Sequence, residues 1–294
     1  MDVFAAFIAP ALAGVFVGVM SGLLGVGGGT IMVPIFRLAF GMSPLASTAT
    51  SLFAIIPTSI SGVVAHTRAK TCVPKLGLAL GVGGAVMSPL GVWLASVSPG
   101  WLVICVAAVV IGFSAFKMFK KAVKCAPLPR AGRAGGNAKA AGANAATAGS
   151  SAATAHSATP KPVPDQPHLS RKQYLQGACI GLIAGLASGY VGVGGGFIMV
   201  PLMLAVLDIP MSLASGTSLI AIMILAIPGV IEQGLLGNID YLAGIAIVVG
   251  SIPGALVGAR LVRVVPERQL RFIFGGFLLV AAVMLMLNEF GILG

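Results

Sequence analysis

The chain has 294 residues and is too apolar for an ordinary soluble protein, since 57% of its residues are hydrophobic and only 9% are charged. A soluble domain carries about 25% charged residues, and the mean hydropathy here is +1.04. The net charge of +11 could point to nucleic acid, but ten of the 18 basic residues fall within Lys117–Lys172, which offers no aromatic platform or folded basic domain. These values exclude a soluble globular domain and argue against nucleic-acid binding.

Long uncharged stretches predict that the chain crosses a membrane as helices. Leu76–Phe116 and Gln173–Leu207 contain no Asp, Glu, Lys or Arg, and a helix needs about 20 apolar residues to cross the hydrocarbon. The period-two alternation of a membrane β-barrel does not occur. We therefore expect an all-α polytopic membrane protein. Its first helix should be retained, because no basic region of the kind found in a signal peptide precedes it.

Ten helical segments are predicted, five in each half of the chain. In the first half they are Val3–Leu24, Thr30–Phe40, Leu45–Ala65, Leu76–Ser96 and Trp101–Phe119. In the second half they are Tyr174–Tyr190, Phe197–Leu207, Leu213–Ile231, Tyr241–Leu261 and Glu267–Leu287. The second segment of each half has about 11 residues, roughly 16 Å of helix, which fits either a thin crossing or a re-entrant half-helix. The prediction is eight long segments and two short or broken ones.

A ten-residue motif occurs twice with one change, as GVGGGTIMVP at Gly25–Pro34 and as GVGGGFIMVP at Gly192–Pro201. The same offset of 167 residues places Thr50-Ser51 on Thr217-Ser218. The chain therefore consists of one unit used twice, and each copy carries a Gly run and a Pro inside an apolar stretch. A duplicated membrane unit with a broken helix in each half is typical of secondary transporters.

Composition divides the chain into a first transmembrane repeat (1–122), a basic linker rich in Ala, Gly and Pro (123–172) and a second transmembrane repeat (173–294). The linker has too few large apolar residues to form a core, so we expect it to be disordered. By the positive-inside rule, basic loops beside membrane helices lie in the cytoplasm. The linker is therefore predicted to be cytoplasmic.

Loop charges predict the relative orientation of the two repeats. His66–Lys75 and Val262–Arg271 are basic and should lie on the cytoplasmic side with the linker. Glu232–Asp240 corresponds to His66–Lys75 in the second copy but carries two acids and no base, so it should face the other side. We therefore expect inverted repeats with an odd number of crossings each, and both chain termini outside the cell.

The Gly runs are the main candidates for a substrate site. Glycine permits positive φ and close approach of a ligand, and a helix restarting at Thr30 or Phe197 would direct free N–H groups into the interior, where they favour an anion. The prolines loosen each break further. The alternative is that the glycines only let helices pack tightly; neither a P-loop nor a Rossmann turn fits. The candidate substrate-binding residues are Gly27, Gly28, Gly29, Thr30, Pro34, Gly194, Gly195, Gly196, Phe197 and Pro201.

Polar residues in the apolar stretches give further candidates. The hydroxyls of Thr50, Ser51, Thr217 and Ser218 could hydrogen-bond an oxyanion, or could bond backbone carbonyls and neighbouring helices instead. One half has Ala49 where the other has Gly216, so the halves are not equivalent here.

Proton coupling has two sequence candidates. His66 and Glu232 could each carry a proton, although a solvated position at a loop end is the favoured interpretation for both. No metal-ligand set, cofactor motif or catalytic arrangement is expected from the sequence.

The two motifs, each followed by Thr-Ser-Leu about sixteen residues later, resemble the sulfite exporter TauE/SafE family of membrane permeases. The resemblance covers both halves and excludes the linker. It implies a secondary carrier in the cytoplasmic (inner) membrane that moves sulfite, an organosulfonate or another small organic anion, is coupled to protons and works by alternating access. The runner-up is a non-transporting membrane scaffold or assembly factor; a membrane-embedded enzyme lacks catalytic groups. A homodimer is compatible with the sequence.

Overall fold

The computed structural model describes residues 3–124, 170–191 and 194–289. Most of the predicted linker, 123–172, lies outside these residues. Eight of the described helices have 21–25 residues and two are short, as expected, so the all-α polytopic architecture is confirmed. The described helices are α1 (Val3–Leu24), α2 (Gly29–Phe40), α3 (Pro44–Arg68), α4 (Pro74–Val97), α5 (Gly100–Lys124), α6 (Arg171–Val191), α7 (Gly196–Leu202), α8 (Met211–Leu235), α9 (Tyr241–Leu261) and α10 (Glu267–Glu289).

Five of the described helices are long and apolar enough to cross a membrane. Two further apolar segments, Pro10–Leu24 of α1 and Gly196–Leu207, are shorter. The second of these is α7 together with a single π-helical turn, Met203–Leu207, that follows it directly. The five candidate spans are Leu45–Arg68, Pro74–Leu94, Arg171–Val191, Met211–Leu235 and Tyr241–Leu261.

Local sequence signals explain where several helices begin and end. The hydroxyl of Ser43 accepts a hydrogen bond from the backbone nitrogen of Ala46 at 3.3 Å, and Pro44 follows as the first helical residue of α3. Both are favoured residue types at these positions. Asp240 caps α9 in the same way, with its Oδ1 3.1 Å from the nitrogen of Ala243. Gly41 ends α2 in the left-handed conformation that this position prefers.

Helix α1, the first helix of its half, packs along α9, the fourth helix of the other half. A side chain at any of three α1 glycines would overlap α9 backbone, so the two helices approach as closely as only glycine allows. The contacts advance in the same direction along both helices, which makes the pair parallel. The pairs are Gly14 with Ile247, Gly18 with Ser251 and Gly22 with Ala255.

Helices α4 and α6 form an equivalent pair with the roles of the halves exchanged. Here the glycines of α6 lie against the backbone of α4, again in parallel, so each half's first helix is packed on the other half's fourth helix. The pairs are Gly181 with Leu80, Gly185 with Gly84 and Gly189 with Ser88. The reciprocal pairing means that neither half contains all of its own packing partners.

Helices α3 and α8 cross at the centre of the molecule and run in opposite directions. Gly62 of α3 packs on Leu219 of α8, while Gly229, further along α8, packs on Leu52, nearer the start of α3. α3 also contacts α9, and α8 contacts α4, so the exchange of partners extends to this pair. The outer helices α5 and α10 pack on each other.

The charged loops lie at the two ends of α3. The guanidinium of Arg263 donates a hydrogen bond to the carbonyl oxygen of Ala69, which joins the two basic loops directly at the end of α3. The nitrogen of Asp240, in the acidic loop, donates to the hydroxyl of Thr50 at 3.0 Å, close to the start of α3. The basic loops therefore share one end of the helix bundle, and the acidic loop lies at the other.

Candidate functional site

Both Gly runs break the helical path. Helix α2 begins at Gly29 after Gly28, whose φ is 83°, and α7 begins at Gly196 after Gly195, whose φ is 65°. These left-handed conformations are accessible to glycine at no steric cost. The helices begin one residue before the predicted starts at Thr30 and Phe197. Gly29 and Gly196 are the first helical residues and have no positive φ.

The two breaks lie at the same depth and against the same pair of side chains. A Cβ placed on Gly27 would lie 2.8 Å from Cγ2 of Ile222 and 3.5 Å from Cγ2 of Ile55. A Cβ on Gly194 would lie 3.0 Å from Cδ1 of Ile55 and 3.9 Å from Cγ2 of Ile222. Each isoleucine is close to the middle of its 25-residue helix. The breaks are therefore central and not at the ends of the bundle.

The second break also touches the backbone of the first. A Cβ on Gly196 would lie 2.8 Å from the carbonyl oxygen of Gly25 and 2.8 Å from Cα of Val26. This spacing is closer than any real Cβ contact. The repeated glycines thus bring two interrupted backbones together at the centre, which only residues without a side chain permit.

Helix α8 holds the first break in place through its polar residues. The hydroxyl of Ser218 lies 2.6 Å from the carbonyl oxygen of Gly25 and 2.9 Å from that of Ser215, and can donate to either. Gly25 itself has a φ of 72° and is pressed against the backbone of Ser215. In the first half, the hydroxyl of Ser51 donates to the carbonyl oxygen of Thr48 at 2.8 Å.

The threonines of the two Thr-Ser pairs have matching roles. Thr50 accepts a hydrogen bond from the nitrogen of Asp240, just before α9. Thr217 accepts one from the nitrogen of Val73, just before α4, at 3.0 Å, and donates to the carbonyl of Leu213 at 2.6 Å. Both hydroxyls are fully buried. Each therefore supports the loop that leads into the fourth helix of the opposite half.

The prolines follow each break within its short helix. Pro34 lies in α2 and Pro201 in α7, so the carbonyls of Thr30 and Phe197, four residues earlier, lack their usual helical donor. Phe197 is fully buried at the start of α7.

Three buried hydroxyls have no hydrogen-bond partner among the described residues: those of Ser21, Thr30 and Ser59. Their exposed fractions are 1%, 4% and 0%. Buried hydroxyls are usually paired, and an unpaired one costs roughly 1–3 kcal/mol. Thr30 was a predicted site residue, whereas Ser21 and Ser59 were not.

A comparison with known protein families decides the assignment. The model of the family described as sulfite exporter TauE/SafE matches residues 10–285, nearly the whole chain. The chain belongs to the sulfite exporter TauE/SafE family. The resemblance inferred from the two motifs is confirmed. No solved structure matches the chain.

Three similar proteins in Bacillus subtilis (strain 168) match most of the chain. The chain is 25% identical to the probable membrane transporter protein YunE over 268 residues, covering 87% of this chain and 89% of that protein. It is 26% identical to the probable membrane transporter protein YdhB over 255 residues, covering 86% and 89%. It is 24% identical to the probable membrane transporter protein YjnA over 274 residues, covering 93% and 97%. With its apolar helices, this TauE/SafE protein is a multi-pass membrane transporter, and its family points away from an enzyme.

In this TauE/SafE protein His66 is not solvated, so the favoured sequence interpretation was wrong. Its side chain is 0% exposed. Nε2 lies 2.8 Å from the carbonyl oxygen of Gly22 and donates to it, and Nδ1 lies 2.8 Å from Oγ1 of Thr71. The position near a loop suggested exposure, but α1 and α8 cover the ring. A Cβ on Gly216 would lie 2.9 Å from Cγ of His66, which explains why this half requires glycine there.

The second half contains a counterpart of the His66–Thr71 pair. Nδ2 of Asn238 donates to Oε1 of Gln233 at 2.8 Å, and these residues follow His66 and Thr71 by the repeat offset. The side-chain interaction is thus present in both halves, although both partners differ between them. The neighbouring Glu232 is partly buried near the end of α8, away from the central breaks.

Ser21 was not among the predicted site residues, although the repeat in the sequence could have identified it. Ser21-Gly22 and Ser188-Gly189 precede the two motifs at the same offset, so the repeated unit begins earlier than the motif suggests. Cβ of Ser188 would lie 3.2 Å from a Cβ on Gly195, and Cβ of Ser21 3.6 Å from one on Gly28. Ser59 has no serine counterpart and could not be found from the repeat.

Proposed function

We propose that this TauE/SafE transporter is a secondary carrier of a small anion such as sulfite, an organosulfonate or an organic acid. Its substrate would bind at the two central breaks, between the start of α2 at Gly29 and the start of α7 at Gly196. The observation that carries the proposal is that these two interrupted backbones meet in the middle of the bundle. Irregular backbone at membrane depth is tolerated where it is buried in protein or lines a cavity, and in transporters it forms the substrate site.

An anion is favoured over a cation by the direction of the short helices. The first amides of α2 have no partner within the helix, and the N-terminal end of a helix carries a partial positive charge of about half a unit. The hydroxyl of Thr30, in the first turn, adds an unpaired donor. Helix α1 carries no charged residue, and neither does Gly25–Phe36. The positive field would therefore come from backbone and hydroxyl groups, which bind weakly enough to release cargo.

The remaining predicted site residues would support this site without contacting the substrate. Thr50, Thr217 and Ser218 hold loops and backbone through hydrogen bonds across the molecule, and Ser51 bonds within α3. Their effect on transport would be indirect, by fixing the positions of the breaks. Pro34 and Pro201 would keep the short helices adaptable.

Alternating access would follow from two inverted repeats. The opposite directions of α3 and α8, together with the exchanged pairs α1–α9 and α4–α6, support this arrangement. The two units would rock against each other around the central breaks. The end with Arg263 and Ala69 would face the cytoplasm of the inner membrane together with the linker, and both termini would face outside. Proton coupling would use His66 or Glu232.

The proposal is tested with purified protein and reconstituted vesicles. Selective anions should raise the melting temperature, because a ligand at 100 times its Kd stabilises the folded state by about 2.7 kcal/mol. Labelled sulfite should cross vesicles that contain the wild-type protein and not vesicles with Gly28→Val at matched protein levels. Gly41→Val, at a glycine whose φ of 61° is also positive and where a side chain meets nothing within 4 Å, is the matched control. If no anion is bound or transported, the carrier is disproved and the scaffold hypothesis gains support.

A further inference from the structure

Two of the three unpaired hydroxyls lie at the first break, and the third lies one helical turn from a residue that contacts it. Cβ of Ser21 lies beside Gly28. Thr30 is the second residue of α2. Ser59 follows Ile55 by one turn on α3, and Ile55 contacts Gly27. Three buried donors without partners near one interrupted backbone are the arrangement expected of a site that binds a hydrogen-bond acceptor.

The corresponding region of the second half is less polar. The repeat offset places Ser21, Thr30 and Ser59 on Ser188, Phe197 and Ala226. Two of the three counterparts thus have no hydroxyl. The first half therefore offers donors at positions where the second half offers apolar surface.

A neighbouring pair shows the same asymmetry. The hydroxyls of Thr58 in α3 and Ser251 in α9 are 2.5 Å apart and hydrogen-bonded. The offset relates them to Leu225 in α8 and Gly84 in α4, where the leucine Cβ would lie 3.2 Å from a glycine Cβ. One polar contact thus corresponds to one apolar contact. The greater polarity of the first half therefore extends beyond the three unpaired hydroxyls. It includes Thr58 of α3, whose equivalent in α8 is apolar.

We propose that Ser21, Thr30 and Ser59 bind the oxygen atoms of a singly charged oxyanion, and that Phe197 and Ile222 contact the apolar remainder of the same ion. The inference rests on the proposed function and deepens it, since it assigns the polar contacts to one half only. Hydroxyls donate to anionic oxygen atoms without adding charge. The N-terminal end of α2 disfavours a cation at the same place.

The absence of basic side chains close to these hydroxyls along their helices sets the charge of the ligand. Helix α1 has no Lys or Arg, the Arg37 of α2 lies in the last turn of that helix, and α3 has none before its last residue, Arg68. The cost of moving an ion out of water rises with the square of its charge, and neutral donors offset it only in part. A monoanion is therefore accepted and a dianion of the same size is rejected. Methanesulfonate and sulfate form a matched pair of probes, since both are tetrahedral at sulfur but differ in charge and in one methyl group.

The binding test uses the full-length protein and the variants Ser21→Ala, Thr30→Val and Ser59→Ala. Methanesulfonate should stabilise the wild type, and each variant should bind it about 10-fold more weakly, as expected for a lost hydrogen bond to a charged group. The melting temperature without ligand should not fall, because no bond within the protein is removed. Ser88→Ala, at a buried serine of α4, should leave the affinity unchanged.

Several outcomes would overturn the assignment. An equal loss in Ser188→Ala would mean that both halves bind the ion, and an equal loss in Ser88→Ala would mean that the effect is unspecific. Stabilisation by sulfate as strong as that by methanesulfonate would contradict the charge selection. Lower melting temperatures with unchanged affinity would identify buried water as the partner of these hydroxyls. Wild-type affinity for sulfite or methanesulfonate in all three variants would refute this inference and leave the carrier intact, whereas failure of the wild type to bind any anion would refute both.

Discussion

The hydroxyl oxygen of Thr217 lies 3.0 Å from the backbone nitrogen of Val73 and is its hydrogen-bond acceptor. Both residues are buried, so loss of the acceptor would leave an unsatisfied amide. Thr217→Val should lower the free energy of unfolding by about 1–3 kcal/mol. Thr217→Ser keeps the hydroxyl, so its free energy of unfolding should stay close to that of the wild type. Equilibrium unfolding in detergent measures the difference. The KM for the transported anion should be unchanged in vesicles; a raised KM at unchanged stability would instead place this hydroxyl on the substrate.

Gly28 and Gly41 provide a matched pair for the role of the first break. Both have positive φ, at 83° and 61°, so alanine costs each about 1–2 kcal/mol of backbone strain. At Gly28 the new Cβ would also lie 2.9 Å from Cγ1 of Val17, whereas at Gly41 it meets nothing within 4 Å. Gly28→Ala should abolish most transport and Gly41→Ala should not. Equal transport in the two variants, at equal amounts of folded protein, would contradict a site at the break.

The positions of the helices could be predicted from the sequence because hydrophobic length and glycine breaks are local signals. Helix α2 was expected to begin at Thr30 and begins at Gly29, and α10 begins at Glu267 as expected. The partners could not be predicted in this way. Glycines in α1 indicate that another helix packs closely, but they do not say that it is α9. The hydrogen-bond partners of Thr50 and Thr217 could not be predicted either. These bonds join the two halves, and residue spacing along one segment contains no information about them.

In the second half, Gln233 occupies the position equivalent to His66, so His66 can be replaced by glutamine. His66→Gln with Thr71→Asn would reproduce the Gln233–Asn238 pair, whose side chains are 2.8 Å apart. If the pair is structural, the double variant should fold and should keep the pH profile of transport. Proton-driven sulfite uptake measured between acid and alkaline pH checks this. Loss of the pH dependence with the protein still folded would identify His66 as a proton carrier.

The pairing of α1 with α9 should be sensitive to any added side chain. Gly18 lies against the backbone of Ser251, which cannot move aside, so Gly18→Ala should cost about 1–3 kcal/mol through overpacking. Gly276 in α10 meets nothing within 4 Å, and its change to Ala should be neutral or stabilise by up to about 1 kcal/mol. Melting temperatures of the two variants in detergent provide the comparison. Similar values would show that α1 and α9 are not in tight contact.

Cysteine labelling can determine the orientation of the two loops at opposite ends of α3. Lys70 and Gly237 are both exposed, and Lys70 is preferable to the neighbouring Ala69, which is buried. In a chain freed of its native cysteines, Lys70→Cys should react only with reagent on the cytoplasmic side and Gly237→Cys only from outside. Labelling of both from one side would contradict the inverted arrangement.

The close contact between α1 and α9 has a consequence for biogenesis, because it joins an early helix to a late one. At about 5–20 residues per second, the ribosome adds the chain between Gly14 and Ile247 in about 10–50 s. During that time the glycine face of α1 has no partner within the nascent protein, and lipid or an insertase must cover it. A chain that ends before α9 would keep this face of α1 exposed. Membrane quality control could then recognise an incomplete transporter by the exposed glycine face.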